Sequence, residues 1–237
     1  MDRTKTRNPG MWAVLPAKDL VDAKQRLAAA LSPAERRLLF RTMYEDVLTA
    51  LSETQGLAGI AVVTRDPEAA AVARAYGAAL IEEAENQGQT AAIECAAAAL
   101  AARGAAGMLT VPGDAPLITA AEIGTVLAAH SAAPAAMTIV PAHDRRGSNC
   151  IAVSPPGLIP FSFGNDSFQP HLAAARGRGI EPKIVDLPGI GLDIDTPDDL
   201  RQLIARGGRT RTHIYLETSG IAARLREEPR RAGGAAG

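Results

Sequence analysis

Aromatic side chains are scarce in this 237-residue chain, at 3% of the total. That excludes a core of stacked rings, so the interior must be built from Ala, Val, Leu and Ile. Cysteine is also rare: only Cys95 and Cys150 occur, without metal-like spacing and inside apolar segments. They read as small buried hydrophobes rather than as a disulfide or zinc framework. A surplus of positive charge is missing, since the formal net charge is -1. This excludes the basic balance of a nucleic-acid binder. No secretory apolar segment follows the polar start Met1–Gly10. The uncharged stretch Ser148–Asn165 is broken by Pro155, Pro156, Gly157 and Pro160, so it is no membrane span. The expected compartment is a reducing cytoplasm, with no membrane partner. Gly-x-Ser-x-Gly, a Walker loop and a dinucleotide fingerprint are all absent, which weakens hydrolase, P-loop and dehydrogenase readings.

Lysine is the last scarcity. Only Lys5, Lys18, Lys24 and Lys183 occur, and every other cationic residue of that type is arginine. With the alanine runs, this suggests a GC-rich bacterial genome. Lys18 and Lys24, close together after the first apolar run, then point to a need for lysine itself. Two surface lysines by chance is the competing reading.

What is present is ordinary globular material, 47% hydrophobic and 22% charged. Strand and helix patterns alternate along it. Met11–Leu15, Ile60–Val63, Ala79–Ile81, Met108–Val111, Met137–Val140, Ile151–Val153 and Lys183–Val185 read as strands. Ser32-Pro33-Ala34-Glu35 and Thr119-Ala120-Ala121-Glu122 read as capping boxes opening helices. Further helices are expected over Ala69–Tyr76, Thr90–Ala102, Ser167–Arg176 and Asp198–Ala205. The alternation predicts an α/β fold with a mainly parallel sheet covered by helices on both faces. The expected organisation is a flexible leader over 1–10, one domain over 11–206, an extension over 207–226 and a disordered tail over 227–237. Weak helical character in the extension, at Ile221–Leu225, fits either a dimer arm or a strap on its own domain. A homodimer is therefore one expected assembly.

Two motifs suggest a small-anion pocket. Gly147-Ser148-Asn149 is a small, hydroxyl-bearing turn before an apolar strand. Phe163-Gly164-Asn165-Asp166-Ser167-Phe168-Gln169-Pro170-His171 reads as a glycine turn entering a helix, where backbone N–H groups and a dipole end favour an anion. In open α/β sheets, ligands bind at the carboxyl ends of strands. Pro16-Ala17-Lys18, Gly113-Asp114 and Asp193-Ile194-Asp195 all fall there. Asp114 with Asp193-x-Asp195 is a candidate Mg²⁺ site, since that hard ion takes carboxylate oxygens. An extended backbone would put Asp193 and Asp195 on one face. The competing readings are a turn aspartate at Asp114 and a helix start at Thr196-Pro197-Asp198-Asp199. Asp198 and Asp199 are assigned to capping and dipole roles. The four histidines, His130, His143, His171 and His213, lack metal spacing, and His171 reads equally as a packing residue.

The motifs Val14-Leu15-Pro16-Ala17-Lys18, Ala23-Lys24-Gln25-Arg26-Leu27, Pro112-Gly113-Asp114-Ala115-Pro116, Gly147-Ser148-Asn149, Phe163-Gly164-x-x-Ser167-Phe168-x-x-His171 and Leu192-Asp193-Ile194-Asp195-Thr196-Pro197 occur in this order. The pattern, over about residues 11–206, resembles the guanylyltransferases of coenzyme F-420 biosynthesis. The resemblance implies a Rossmann-like fold of the nucleotide-diphospho-sugar-transferase type. It implies transfer of GMP from GTP to the phosphate of a three-carbon acid, with release of pyrophosphate. The acid is phosphoenolpyruvate, 3-phospho-D-glycerate or 2-phospho-L-lactate, the first two being favoured. By the same resemblance Lys18 and Asp114 are catalytic, and Asp114, Asp193 and Asp195 hold Mg²⁺. Lys18, Lys24, Arg26, Gly88 and Gln89 would meet the nucleotide, and Ser148, Gly164 and Ser167 the acid. Ser148 stands where threonine is frequent, and Gly88-Gln89-Thr90 lacks an asparagine often found there. The alternatives are a molybdopterin- or sugar-phosphate nucleotidyltransferase and a catalytically silent nucleotide-binding domain. Against the first, Leu15-Pro16-Ala17-Lys18-Asp19 replaces the usual glycine-rich loop.

Overall fold

A computed structural model describes residues 10–17, 24–83, 87–130, 133–164 and 166–227. Lys18, Asn165, the leader before Gly10 and the tail after Glu227 lie outside the described residues. Seven strands form the sheet: β1 Met11–Pro16, β2 Leu57–Val63, β3 Ala79–Ile81, β4 Gly107–Thr110, β5 Ala136–Pro141, β6 Ser148–Ser154 and β7 Lys183–Ile184. Their order is β3-β2-β1-β4-β6-β5-β7. All run parallel except β6, which pairs antiparallel with both β4 and β5. The central strand β1 shows why its sequence is a continuous apolar run. Ala13 and Leu15 enter the core on one face and Val14 the core on the other, all fully buried.

Among the described residues, eight α-helices cover the sheet: α1 Pro33–Glu53, α2 Pro67–Ala75, α3 Gln89–Ala102, α4 Ala120–Ala129, α5 Phe168–Arg176, α6 Pro197–Arg206, α7 Arg211–Thr218 and α8 Ile221–Glu227. The cores assign them to faces. One core takes α1, α2, α4, α6, α7 and α8, and the other takes α3 and α5. The result is one α/β domain with a mixed, mainly parallel sheet. With almost no rings available, α3 packs through Ala92, Ile93, Ala96, Ala97 and Leu100. Cys150 is buried in the sheet, and its thiol is pushed up to about 12 by burial. Both cysteines are free thiols.

Local signals set most helix starts. Ser32 Oγ accepts from Glu35 N–H at 3.3 Å, and Ser32 N–H donates to Glu35 Oε2 at 2.7 Å. At α6, Thr196 and Asp199 close a second capping box around Pro197. Asp198 instead pairs with Arg201 at 2.9 Å. At α4 the expected box is only half formed. Thr119 Oγ1 accepts from Glu122 N–H, but Glu122 Oε1 accepts from Gly189 N–H at 2.8 Å rather than returning to Thr119. A side chain at position 189 would collide with that carboxylate, so glycine permits the tertiary bond. Helix α7 carries no such local warning in its apolar pattern. Its first turn is held by Asp46 of α1, which accepts from Arg211 N–H, Thr212 N–H and Thr212 Oγ1 at 2.7–2.9 Å.

Candidate active site

Strand reversal builds the site. Because β6 runs against its neighbours, its first residues stand at the edge where β1 and β4 end. Gly147-Ser148-Asn149 therefore faces the loops after β1 and β4 and the segment before α6. Between them lies a cleft of about 840 Å³, a typical small-molecule volume. Asp114, Asp193, Asp195, Lys24, Arg26 and Gln89 line it together with Ser148, Gly164 and Ser167. Gly88 stands one residue back, as the N-cap of α3 with φ 97°.

The acidic side is stitched by backbone. Ile194 N–H donates to the Asp114 carbonyl at 3.0 Å. Ile190, Leu192 and Ile194 are buried, leaving Asp193 and Asp195 to face the cleft. Lys24 enters from a left-handed backbone conformation, φ 58° and ψ 44°, which is unfavourable for lysine by roughly 1 kcal/mol. Its buried ammonium donates to Asp114 and, at 2.7 Å, to Asp195 Oδ1. Arg26 lies 3.7 Å from Asp195 Oδ2. Burial would lower the Lys24 ammonium, but Asp114 and Asp195 outweigh it and raise the group above its ordinary value. Burial would raise Asp195, yet Lys24 holds it below the usual carboxylate range. Among the described residues, no ion pair joins Asp193 to a cation. Burial, then Asp114, push it up to about 6.

Asn149 links this side to β6. Its Nδ2 donates to Ile190 O at 2.9 Å and Asp193 Oδ1 at 3.0 Å. The sequence motif contained Asn149 but gave it no role, because its partners lie 41 and 44 residues away.

On the opposite side, Ser148 N–H donates to Ser167 Oγ at 3.0 Å. Ser167 caps α5 by position, but its hydroxyl makes no cap bond and serves β6 instead. Ser148 Oγ lies 2.9 Å from His171 Nδ1, and Ser162 N–H donates to His171 Nε2 at 3.0 Å. Gly164 borders open space, with no atom beyond its chain neighbours within 4 Å of where a Cβ would stand. His171 is fully buried against Phe161 and Phe163, and burial depresses its imidazole to about 4. Phe163 N–H donates to Thr90 Oγ1 at 3.0 Å, tying this wall to the start of α3 beside Gln89.

Among the described residues, no three carboxylate, histidine or cysteine side chains form a ready cage for a metal ion. Mg²⁺ does not need one, because it commonly binds through one or two carboxylates plus water and substrate phosphates. The lodging of a lysine ammonium between Asp114 and Asp195 marks a place that favours positive charge. The donor set therefore fits a hard cation.

The sheet order, with its one reversed strand among the described residues, and an acidic cleft facing a hydroxyl-lined wall fit a nucleotidyltransferase type of α/β fold. Solved structures share that fold. A candidate nucleotide-diphospho-sugar transferase from Desulfovibrio desulfuricans superposes with a TM-score of 0.75 at 17% identity, covering 92% of this chain and 97% of its own. A nucleotidyl transferase from Methanothermobacter gives 0.58 at 16%, covering 88% and 99%. The chain belongs to the CofC-like guanylyl transferase family, whose model matches residues 11–233. It is 38% identical to a phosphoenolpyruvate guanylyltransferase from Conexibacter woesei, over 86% of this chain and 94% of that protein. A phosphoenolpyruvate guanylyltransferase from Rubrobacter xylanophilus is 39% identical over 84% and 95%. A 3-phospho-D-glycerate guanylyltransferase from Colwellia psychrerythraea is 32% identical over 80% and 89%.

Proposed function

We propose that this protein transfers GMP from GTP to the phosphate of a three-carbon phospho-acid, releasing pyrophosphate, in coenzyme F-420 biosynthesis. One observation carries the reading. A single cleft sets the charged cluster of Asp114, Asp193, Asp195 and Lys24 opposite the hydroxyl-lined pocket of Ser148, Gly164 and Ser167. A phospho-acid has two anionic ends, and each side suits one of them. Phosphoenolpyruvate is the favoured acceptor, because relatives named for it reach 38–39% identity, although others so named fall to 33%, next to the 32% of the one named for 3-phospho-D-glycerate.

The chemistry is an in-line displacement. An acceptor phosphate oxygen forms a bond to the α-phosphorus of GTP, while the bond from that phosphorus to the bridging oxygen breaks. Pyrophosphate leaves with the electron pair. The nucleophile is already anionic near neutral pH, so no strong general base is needed. The main barrier is charge repulsion between two polyanions, and positioning together with fixed positive charge lowers it. Lys24 and Arg26 bring two cations to the carboxylate cluster and the nucleotide's phosphates. Asp114, Asp193 and Asp195 would hold Mg²⁺, which when bound would offset the repulsion between the phosphates. Ser148, Ser167 and the backbone at Gly164 would hold the carboxylate and fix the acceptor's orientation. Gln89, which lines the cleft at the start of α3, would meet the base. Lys18, outside the described residues, belongs to the same proposal as a phosphate-neutralising cation.

The test is a panel. The purified protein is given GTP, Mg²⁺ and, in turn, phosphoenolpyruvate, 3-phospho-D-glycerate and 2-phospho-L-lactate. Pyrophosphate release and product mass are measured. Release is expected only with an acid present, and most rapidly with phosphoenolpyruvate. Absence of turnover with all three would overturn the function, and faster turnover with another acid would overturn the choice of acceptor.

A further inference from the structure

We infer that His171 is a positioning residue that turns the Ser148 hydroxyl hydrogen into the cleft, so that the hydroxyl donates to the acceptor's carboxylate. The inference rests on the proposed function for the identity of that carboxylate. Its own argument comes from the hydrogen bonds of one buried ring.

Ser162 N–H donates to His171 Nε2 at 3.0 Å. A backbone amide can only donate, so Nε2 must carry a lone pair and no hydrogen. A neutral imidazole then holds its hydrogen on Nδ1. That nitrogen lies 2.9 Å from Ser148 Oγ. The bond therefore runs from His171 to Ser148, and the serine oxygen is the acceptor. Its own hydrogen is left to point elsewhere. Ser148 lines the cleft, and among the described residues its hydroxyl has no partner besides the ring, which donates to it. The free hydrogen faces the volume in which a ligand would sit.

The neighbouring serine is set in the same sense. Ser167 Oγ accepts from Ser148 N–H at 3.0 Å, which leaves its hydrogen free as well. Two hydroxyls are thus fixed as donors by bonds they accept from behind. Two hydroxyl hydrogens left free to donate favour an anionic group at this wall. Burial supports the wiring. His171 is fully buried, with Phe161 and Phe163 rings beside it, and its imidazole is held far below neutrality. Protonation would place a hydrogen on Nε2 directly against Ser162 N–H.

Two substitutions separate this role from simple packing. Asparagine at 171 keeps a side-chain donor near the Nδ1 position, and glutamine reaches the Nε2 position instead. His171→Gln is expected to raise the KM for the acid by about tenfold to a hundredfold, the loss of one hydrogen bond to a charged group. The KM for GTP should stay within about twofold. His171→Asn should retain most of the acid affinity. In a Ser148→Ala background, His171→Gln should add little further loss, because its effect passes through that hydroxyl. Nitrogen-15 spectra of the wild-type ring near pH 7 should show hydrogen on Nδ1 and none on Nε2. Equal rises in both KM values, with active wild type, would overturn the role of His171 alone. So would a ring with hydrogen on Nε2. Wild type inactive with every acid would instead overturn the function on which the carboxylate end depends, while the ring spectrum would still report the wiring.

Discussion

Asp193 is held unfavourably for its charged form in the cleft. It is buried beside Asp114, and its carboxyl is pushed up to about 6. A carboxyl raised by folding contributes stability below its unfolded value and loses it as pH rises through about 6. Asp193→Asn, which cannot ionise and keeps an oxygen for Asn149, should therefore stabilise the metal-free protein at about pH 8, on the order of 1–2 kcal/mol. Turnover should fall at least about a hundredfold, since a carboxylate proposed for the metal is gone. Urea melts in chelator with matched kinetics would check both, and a destabilised variant would contradict the account of Asp193. His171 has the opposite sign. Burial depresses its imidazole to about 4 from 6.5. Its contribution is complete above the unfolded value near 6.5 and is lost as pH falls towards about 4, by roughly 3 kcal/mol. Wild type should lose more stability over that window than His171→Asn, which has no such ionisation, and parallel curves would contradict the buried neutral ring. At this scale the acidic residues were legible, because Asp-x-Asp and a strand-end aspartate announce themselves by spacing. The supporting residues were not. His171 works through Ser148 and Ser162, 23 and 9 residues away, and only the fold brings these together.

Helices show the same division between local and distant causes. Proline after serine or threonine marked the starts of α1 and α6, and both boxes close as their sequences require. The cap of α4 was legible only in part, because Glu122 is drawn to Gly189 N–H, 67 residues on. Helix α7 was not legible. Its pattern is weak, with Ile214 exposed; Thr210 caps it locally by accepting from His213 N–H, but two more first-turn amides are held by Asp46, about 165 residues earlier. Asp46 is buried and accepts three hydrogen bonds there. Asp46→Ala would leave two amides and a hydroxyl without partners, so a loss of about 2–4 kcal/mol is expected. Neither Asp46 nor any α7 residue lines the cleft. Both KM values should therefore stay close to wild type while the unfolding midpoint drops. Changed substrate constants at constant stability would show that α7 acts on the site.

For the whole molecule, alternation of strands and helices fixed the fold class but could not order the strands. Nothing local in Ser148–Ser154 says that β6 runs backwards, and that reversal is what brings Ser148 to face Asp114. The remaining question at this scale is whether α7 and α8 are an appendage or part of the domain. Their buried residues answer through the core they share. Leu216, Ile221 and Leu225 are at most 2% exposed and pack in one cluster with Leu39 and Met43 of α1 and Leu200 and Leu203 of α6. Each such side chain stabilises by about 1.5–3 kcal/mol on burial. Together they are comparable with the roughly 5–15 kcal/mol of a whole domain. A chain ending at residue 208 should therefore be insoluble, or unfold at least about 10 °C lower than the full chain. Calorimetry on the two chains decides it. If the shortened chain keeps the full midpoint and the full turnover, the helices are a separable arm. If it fails as expected, the cleft depends on a core that its last two described helices help to close.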